Sequence, residues 1–149
     1  MIVRLVGSEM CIRDRSESGV NITIHAGEGD GVSSIIDALD NGAMRIGHGV
    51  RIIEDINDGI IGPTASKIID LQIPLEICIT SNIHTNMYES YEAHPISSLI
   101  DYGFNVYLNT DNRLMSNTSI SKEIEIAKNL GISDVDRLLE YSASDSFFD

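Results

Sequence analysis

The chain has 149 residues, 42% hydrophobic and 22% charged, the balance of a soluble globular protein with a core of ordinary domain size. Its formal net charge of −13 repels phosphate backbones and anionic lipid, so neither nucleic acid nor a membrane surface is an expected partner, and only Arg13-Asp14-Arg15 is locally basic. Two cysteines, Cys11 and Cys78, are too few for a disulfide framework, and no apolar run nears the ~20 residues of a membrane span, so a cytoplasmic setting is expected.

From Val20 onward, short β-branched runs alternate with stretches of helical periodicity. The first strand is expected over Val20 to Ile24, followed by a helix with Val32, Ile35, Ile36 and Leu39 on one face and Gly42 at its end. Met44 to Ile46 reads as a second strand, and a helix opening at Pro63 carries Ile68, Ile69 and Leu71. Leu75 to Ile79 is the third strand, followed by a loop and a helix from Pro95 whose Ile96, Leu99 and Ile100 form a stripe that Gly103 stops. Phe104 to Leu108 is the fourth. A helix from Ser119 to Leu130 and a last one from Ser133 to Tyr141, with Ser133 and Asp136 at capping-box spacing, complete the reading.

Four strands alternating with helices predict an α/β fold with a parallel sheet, either open or part of a closed barrel. Each strand runs into polar or glycine-rich residues at its C-terminal end: His25-Ala-Gly-Glu28, Gly47-His-Gly49, Thr80-Ser-Asn82 and Asn109-Thr-Asp-Asn112. That rim is where (β/α)8 barrels place their catalytic groups, which favours part of such a TIM-type barrel, four βα units plus a C-terminal helix, over an open sheet. A closed barrel takes about 250 residues, so the chain is expected to be incomplete, to need the other half as a partner, and to aggregate through two unpaired strand edges when isolated. Residues 1–17 fit neither a strand nor an amphipathic helix and resemble translated adapter sequence; they are set apart as a non-native segment, with 18–149 as the partial catalytic domain.

Histidines and carboxylates converging on one rim have the composition of a zinc hydrolase site. His25 ends a strand and could bind a metal through a ring nitrogen or simply hydrogen-bond the next strand. Glu28, in a glycine-flanked turn, becomes a proton donor near neutral pH if partly buried, and an ordinary loop glutamate if not. His48, between Gly47 and Gly49, has room for a ligand to approach its ring, although a plain turn histidine would read the same way. Asp111 offers a carboxylate and Asn112 a donor for a heterocycle nitrogen, against the alternative of Asx-turn chemistry. Gly27 allows close backbone approach to a ligand or supplies positive φ. His84 falls in a loop and His94 precedes Pro95, where capping is the simpler role; Ser81-Asn82 is expected to shape the loop after the third strand.

In order and spacing, His25-Ala-Gly-Glu28, Arg45-Ile-Gly-His-Gly49, Leu75-Glu-Ile-Cys-Ile-Thr-Ser-Asn82, His94-Pro95 and Leu108-Asn-Thr-Asp-Asn112 resemble the adenosine deaminase family, from about Val20 to Phe148. The resemblance implies that the chain is the C-terminal half of the (β/α)8 barrel, with His25 and Asp111 as ligands of a catalytic Zn2+, Glu28 as the acid that protonates purine N1, His48 as the residue that orients and helps deprotonate the metal-bound water, and Gly27 and Asn112 as substrate contacts. The implied reaction is hydrolytic deamination of adenosine or deoxyadenosine to inosine and ammonia. Two departures stand out. Asn112 occupies a position where many members carry a second aspartate, and the His-x-His pair that supplies the family's remaining zinc ligands is absent, so weak zinc binding is expected of this polypeptide alone. The alternatives are a related deaminase of adenine, AMP or aminodeoxyfutalosine, another amidohydrolase-like metal hydrolase, and a non-catalytic half-barrel module.

Overall fold

The computed structural model describes residues 21–140. Four strands, β1 (Thr23–Ala26), β2 (Arg45–His48), β5 (Leu75–Ile77) and β6 (Val106–Leu108), pair in parallel in the order β1-β2-β5-β6. Between β2 and β5 the chain forms a 3-10 helix (Val50–Asp55), a two-residue antiparallel pair of β3 (Ile56–Asn57) and β4 (Ile60–Ile61), and a helix. The helices are α1 (Val32–Asp40), α2 (Pro63–Asp70), α3 (Ile79–His84), α4 (Ile96–Asp101) and α5 (Ile120–Asn129). Strands that pair in chain order, with no reversal, have no topological switch point, and this separates a barrel segment from a doubly wound sheet. The fold is α/β and forms part of a (β/α)8 barrel.

The apolar residues of the strands sit mainly on the sheet face that the helices cover, while Thr23 and His25 on the other face of β1 are exposed. Ile46, Leu75 and Ile77 are wholly buried, and they pack with Ile35, Ile68, Leu99 and Phe104 in one continuous core. Helix α2 takes Pro63 in its first turn, and its free N–H groups at Thr64 and Ala65 both donate to Asp55 Oδ2 at 2.9 Å. Ser119 caps α5, its side chain accepting from Lys122 N, and Gly103 and Gly131 take positive φ just past α4 and α5, as expected of helix stops.

Several boundaries differ from the sequence reading. β1 begins at Thr23 and includes His25 and Ala26, while Val20 lies outside the described residues. β2 begins at Arg45, leaving Met44 51% exposed. β5 and β6 are shorter than expected, and Phe104 packs in the core ahead of its strand. Ala38, not Ile36, completes the buried stripe of α1, because Ile36 lies more than one helical step from the Ile35 and Ala38 direction. The expected loop at Thr80-Ser81-Asn82 is helix α3. Among the described residues the last expected helix is one 3-10 turn, Arg137–Leu139: Asp134 Oδ1, not Ser133, accepts from Arg137 N, while Val135 and Leu138 are buried. Tyr141 lies outside the described residues. Among the described residues no helix is long and apolar enough to cross a membrane.

Candidate functional site

The C-terminal ends of the four strands converge. Gly49 N donates to Ala26 O and Arg51 N to Gly27 O, tying the exits of β1 and β2 together, and Asn109 N donates to Ile77 O at the exits of β5 and β6. Four residues of this rim have left-handed backbone: Gly27 (φ 65), His48 (φ 64), Gly49 (φ 69) and Asp111 (φ 52). For His48 and Asp111, which carry a Cβ, this conformation costs on the order of 1 kcal/mol each. A fold retains that cost where the tertiary structure fixes the direction of a side chain.

His48 is at the centre. It is 2% exposed, its Nε2 lies 3.5 Å from Glu28 Oε2, and the ring of His25 meets it edge-on with centroids 5.2 Å apart. Burial pushes the His48 pKa below its usual value; His25 acts in the same direction, while Glu28, Asp111 and Glu76 oppose it. Gly47 leaves the room that the His25 ring occupies, since a Cβ at Gly47 would stand 2.5 Å from His25 Cδ2. Glu28 is half-buried and borders a cleft of about 380 Å3 with Gly29, Arg51, Glu54 and Tyr88, a volume of small-ligand scale. Asp111 is exposed and its Oδ2 accepts from Ser81 Oγ at 2.8 Å, which ties the end of β6 to α3.

Gly27 and Asn112 make the local contacts that the alternative reading of each anticipated. A Cβ at Gly27 would stand 2.6 Å from Ile35 Cδ1, so packing against α1 and a positive φ account for glycine there, and its N–H is bonded to Ser34 Oγ. Asn112 Oδ1 accepts from Leu114 N and Met115 N, the Asx-turn alternative, and the amide's donor half has no bond in that turn. His84 is exposed. His94 does cap its helix, with Ile96 N donating to its Nδ1, but its ring also reaches Asn82, which contacts His48. This connection had no sequence signal beyond the polar pair Ser81-Asn82 and the His94-Pro95 motif, because it joins residues on three separate elements.

His25 and Asp111 have zinc-binding chemistry, an imidazole nitrogen and a carboxylate, but they are two donors where zinc takes three or four from protein. Among the described residues no group of three or more His, Cys, Asp or Glu side chains stands ready to hold one ion. By themselves, then, these residues do not make a zinc site. Cys78 is buried, and that burial pushes its thiol pKa up, which leaves it a packing group and not a thiolate ligand.

A parallel sheet wound in chain order, with histidine and carboxylate side chains gathered at its C-terminal rim, defines part of a (β/α)8 barrel. The chain belongs to the adenosine deaminase family, a family of hydrolytic deaminases: the family's sequence profile matches residues 8–149. It is 51% identical over 111 residues to adenosine deaminase 1 of Streptomyces coelicolor, covering 70% of this chain and 28% of that protein. Among solved structures, it resembles the adenine deaminase of Arthrobacter aurescens with a TM-score of 0.79 and 27% identity, over 92% of this chain and 40% of that one. The N6-methyl-AMP deaminase of Arabidopsis thaliana is similar at a TM-score of 0.71 and 29% identity, over 89% of this chain and 38% of that one. The chain thus spans well under half the length of these relatives.

Proposed function

We propose that this chain, over 18–149, supplies part of the active site of a hydrolytic purine deaminase whose substrate is adenosine or deoxyadenosine. The observation that carries the reading is the Glu28–His48 pair, 3.5 Å apart at the strand ends with the His25 ring against it. In the reaction, water adds to purine C6, the bond from C6 to the exocyclic nitrogen breaks, and ammonia leaves with inosine as the other product. Glu28, half-buried beside the cleft, holds the proton that goes to ring N1, which makes C6 electrophilic. His48, fixed by its buried surroundings, orients the attacking water. Zn2+ is the metal the family implies; His25 and Asp111 are the ligands this chain would contribute, and the rest must come from elsewhere. Asn112, whose Oδ1 is taken up in its turn, would donate to the purine ring through its amide hydrogens, and Gly27, whose N–H is bonded to Ser34, would only allow the substrate to approach the backbone.

Adenosine is favoured because the curated relative at 51% identity is named for it, while the adenine and N6-methyl-AMP deaminases are more distant at 27% and 29%. The test is release of ammonia from adenosine and adenine, and of methylamine from N6-methyl-AMP, by the chain co-expressed with the part of the Streptomyces coelicolor relative that it does not span. Conversion of adenosine to inosine, lost by a factor of about 10² or more in Glu28→Gln, is the expected result. Full activity in Glu28→Gln would refute the assignment.

A further inference from the structure

We propose that Asn82 and His94 are positioning residues that hold the ring proton of His48 on Nε2. The inference rests on the functional reading for its consequence, but its geometry stands independently. It begins at a donor whose direction is unambiguous, the backbone N–H of Ile96, which donates to His94 Nδ1 at 3.2 Å. That nitrogen therefore keeps its lone pair, and neutral His94 carries its proton on Nε2. His94 Nε2 lies 3.2 Å from one terminal atom of the Asn82 side chain, and a protonated nitrogen requires an acceptor there, which assigns that atom as Oδ1. The reversed amide would set two donors face to face. Asn82 Nδ2 then faces His48 Nδ1 at 3.1 Å with one hydrogen and Met87 Sδ at 3.4 Å with the other. His48 Nδ1 must accept, so neutral His48 carries its proton on Nε2, the nitrogen 3.5 Å from Glu28.

Burial makes the relay effective. Asn82 is 0%, His48 2% and His94 5% exposed, so water cannot substitute for a mismatched partner, and an unpaired polar atom at any link costs about 1–3 kcal/mol. The His94 ring is further held edge-on against Tyr88, centroids 5.1 Å apart. Asn82, one residue beyond the Ser81 that bonds Asp111, links the helix start at His94 to the centre of the rim. The relay turns a backbone N–H into a choice of tautomer two side chains away, and it presents Nε2–H of His48, a donor, toward Glu28, which borders the cleft.

The test is the ring 15N spectrum of the full chain, or of the chain completed by co-expression as above if it associates. The expected result is pyrrole-type Nε2 and pyridine-type Nδ1 at both His48 and His94. In Asn82→Asp the side chain can only accept, so Nδ1 of His48 becomes protonated while His94 is unchanged. If Asn82→Asp does not fold, Asn82→Leu serves: with the donor gone, His48 becomes a mixture of tautomers. In the completed barrel these variants should lower kcat about 10- to 100-fold with KM little changed. A proton on Nδ1 of His48 in the unaltered chain, or a His48 spectrum indifferent to the Asn82 substitutions, overturns the relay whatever the chain catalyses. The tautomers as stated with no deamination would instead overturn the functional reading.

Discussion

His94 makes the stability of this fold depend on pH in a defined window. Burial lowers its pKa from the usual 6.5 to about 4, and the Ile96 N–H aimed at Nδ1 opposes a proton there as well. The unfolded chain binds a proton at His94 below pH about 6.5, whereas the folded chain resists doing so until about 4. The stabilising contribution is therefore complete above the unfolded value and is lost as pH falls from about 6.5 toward about 4. At 1.36 kcal/mol per unit the full loss is about 3 kcal/mol, and about 2.5 kcal/mol of it falls between about pH 7.5 and about pH 4.5. Carboxylates titrate over the same range, so the comparison is between the unaltered chain and His94→Gln, whose stability differs by a constant that pH does not change. Urea unfolding followed by tyrosine emission suits a chain with five tyrosines and no tryptophan, at low micromolar concentration to limit association. The gap between the two proteins should shrink on acidification by about 2.5 kcal/mol, a relative midpoint shift on the order of 1 to 2 M urea. If both proteins lose the same stability, His94 is not held neutral by its surroundings and the reasoning fails.

Glu123 is fully buried and accepts from Thr118 Oγ1 at 2.6 Å and from Thr80 N at 3.2 Å, pinning α5 to the start of α3. Glu123→Ala strands both donors and should cost about 3 kcal/mol in urea unfolding, whereas Glu123→Gln, which can accept from Thr80 N and donate to the Thr118 hydroxyl, should cost about 1 kcal/mol; equal losses would contradict this. Gly47→Ala places a Cβ against the His25 ring without forcing a left-handed backbone, so stability should change by less than about 1 kcal/mol while the ring leaves His48, seen as a shift of the His25 ring proton resonances; unmoved resonances would show that the ring does not depend on that space.

The sequence alone carried the alternation of strands and helices, since the apolar alternation of Leu75 and Ile77 and the stripe of Ile96 and Leu99 on α4 are local patterns with one apolar solution each, whereas the stripe expected of α2 is buried only at Ile68 and Leu71 is 63% exposed. It also carried the rim, because His25, Glu28, His48 and Asp111 each follow or end a strand, and parallel strands put all those ends on one side. The strand ends were less legible: hydrophobicity does not say whether Ile79 continues β5 or opens α3, and that depends on Glu123, distant in sequence, accepting from Thr80 N.

What only the tertiary structure decided was the partner of each polar group. Gly27 read equally well as a ligand contact or a turn glycine, and Ile35 packed against it explains the absence of a side chain. Asn82 and His94 looked like a loop former and a cap, yet their remaining hydrogen-bonding atoms meet each other and His48 across three elements. Periodicity records which side of an element is apolar. The direction of a ring nitrogen or an amide hydrogen is fixed by whichever group burial brings opposite it, and that is a property of the packed molecule.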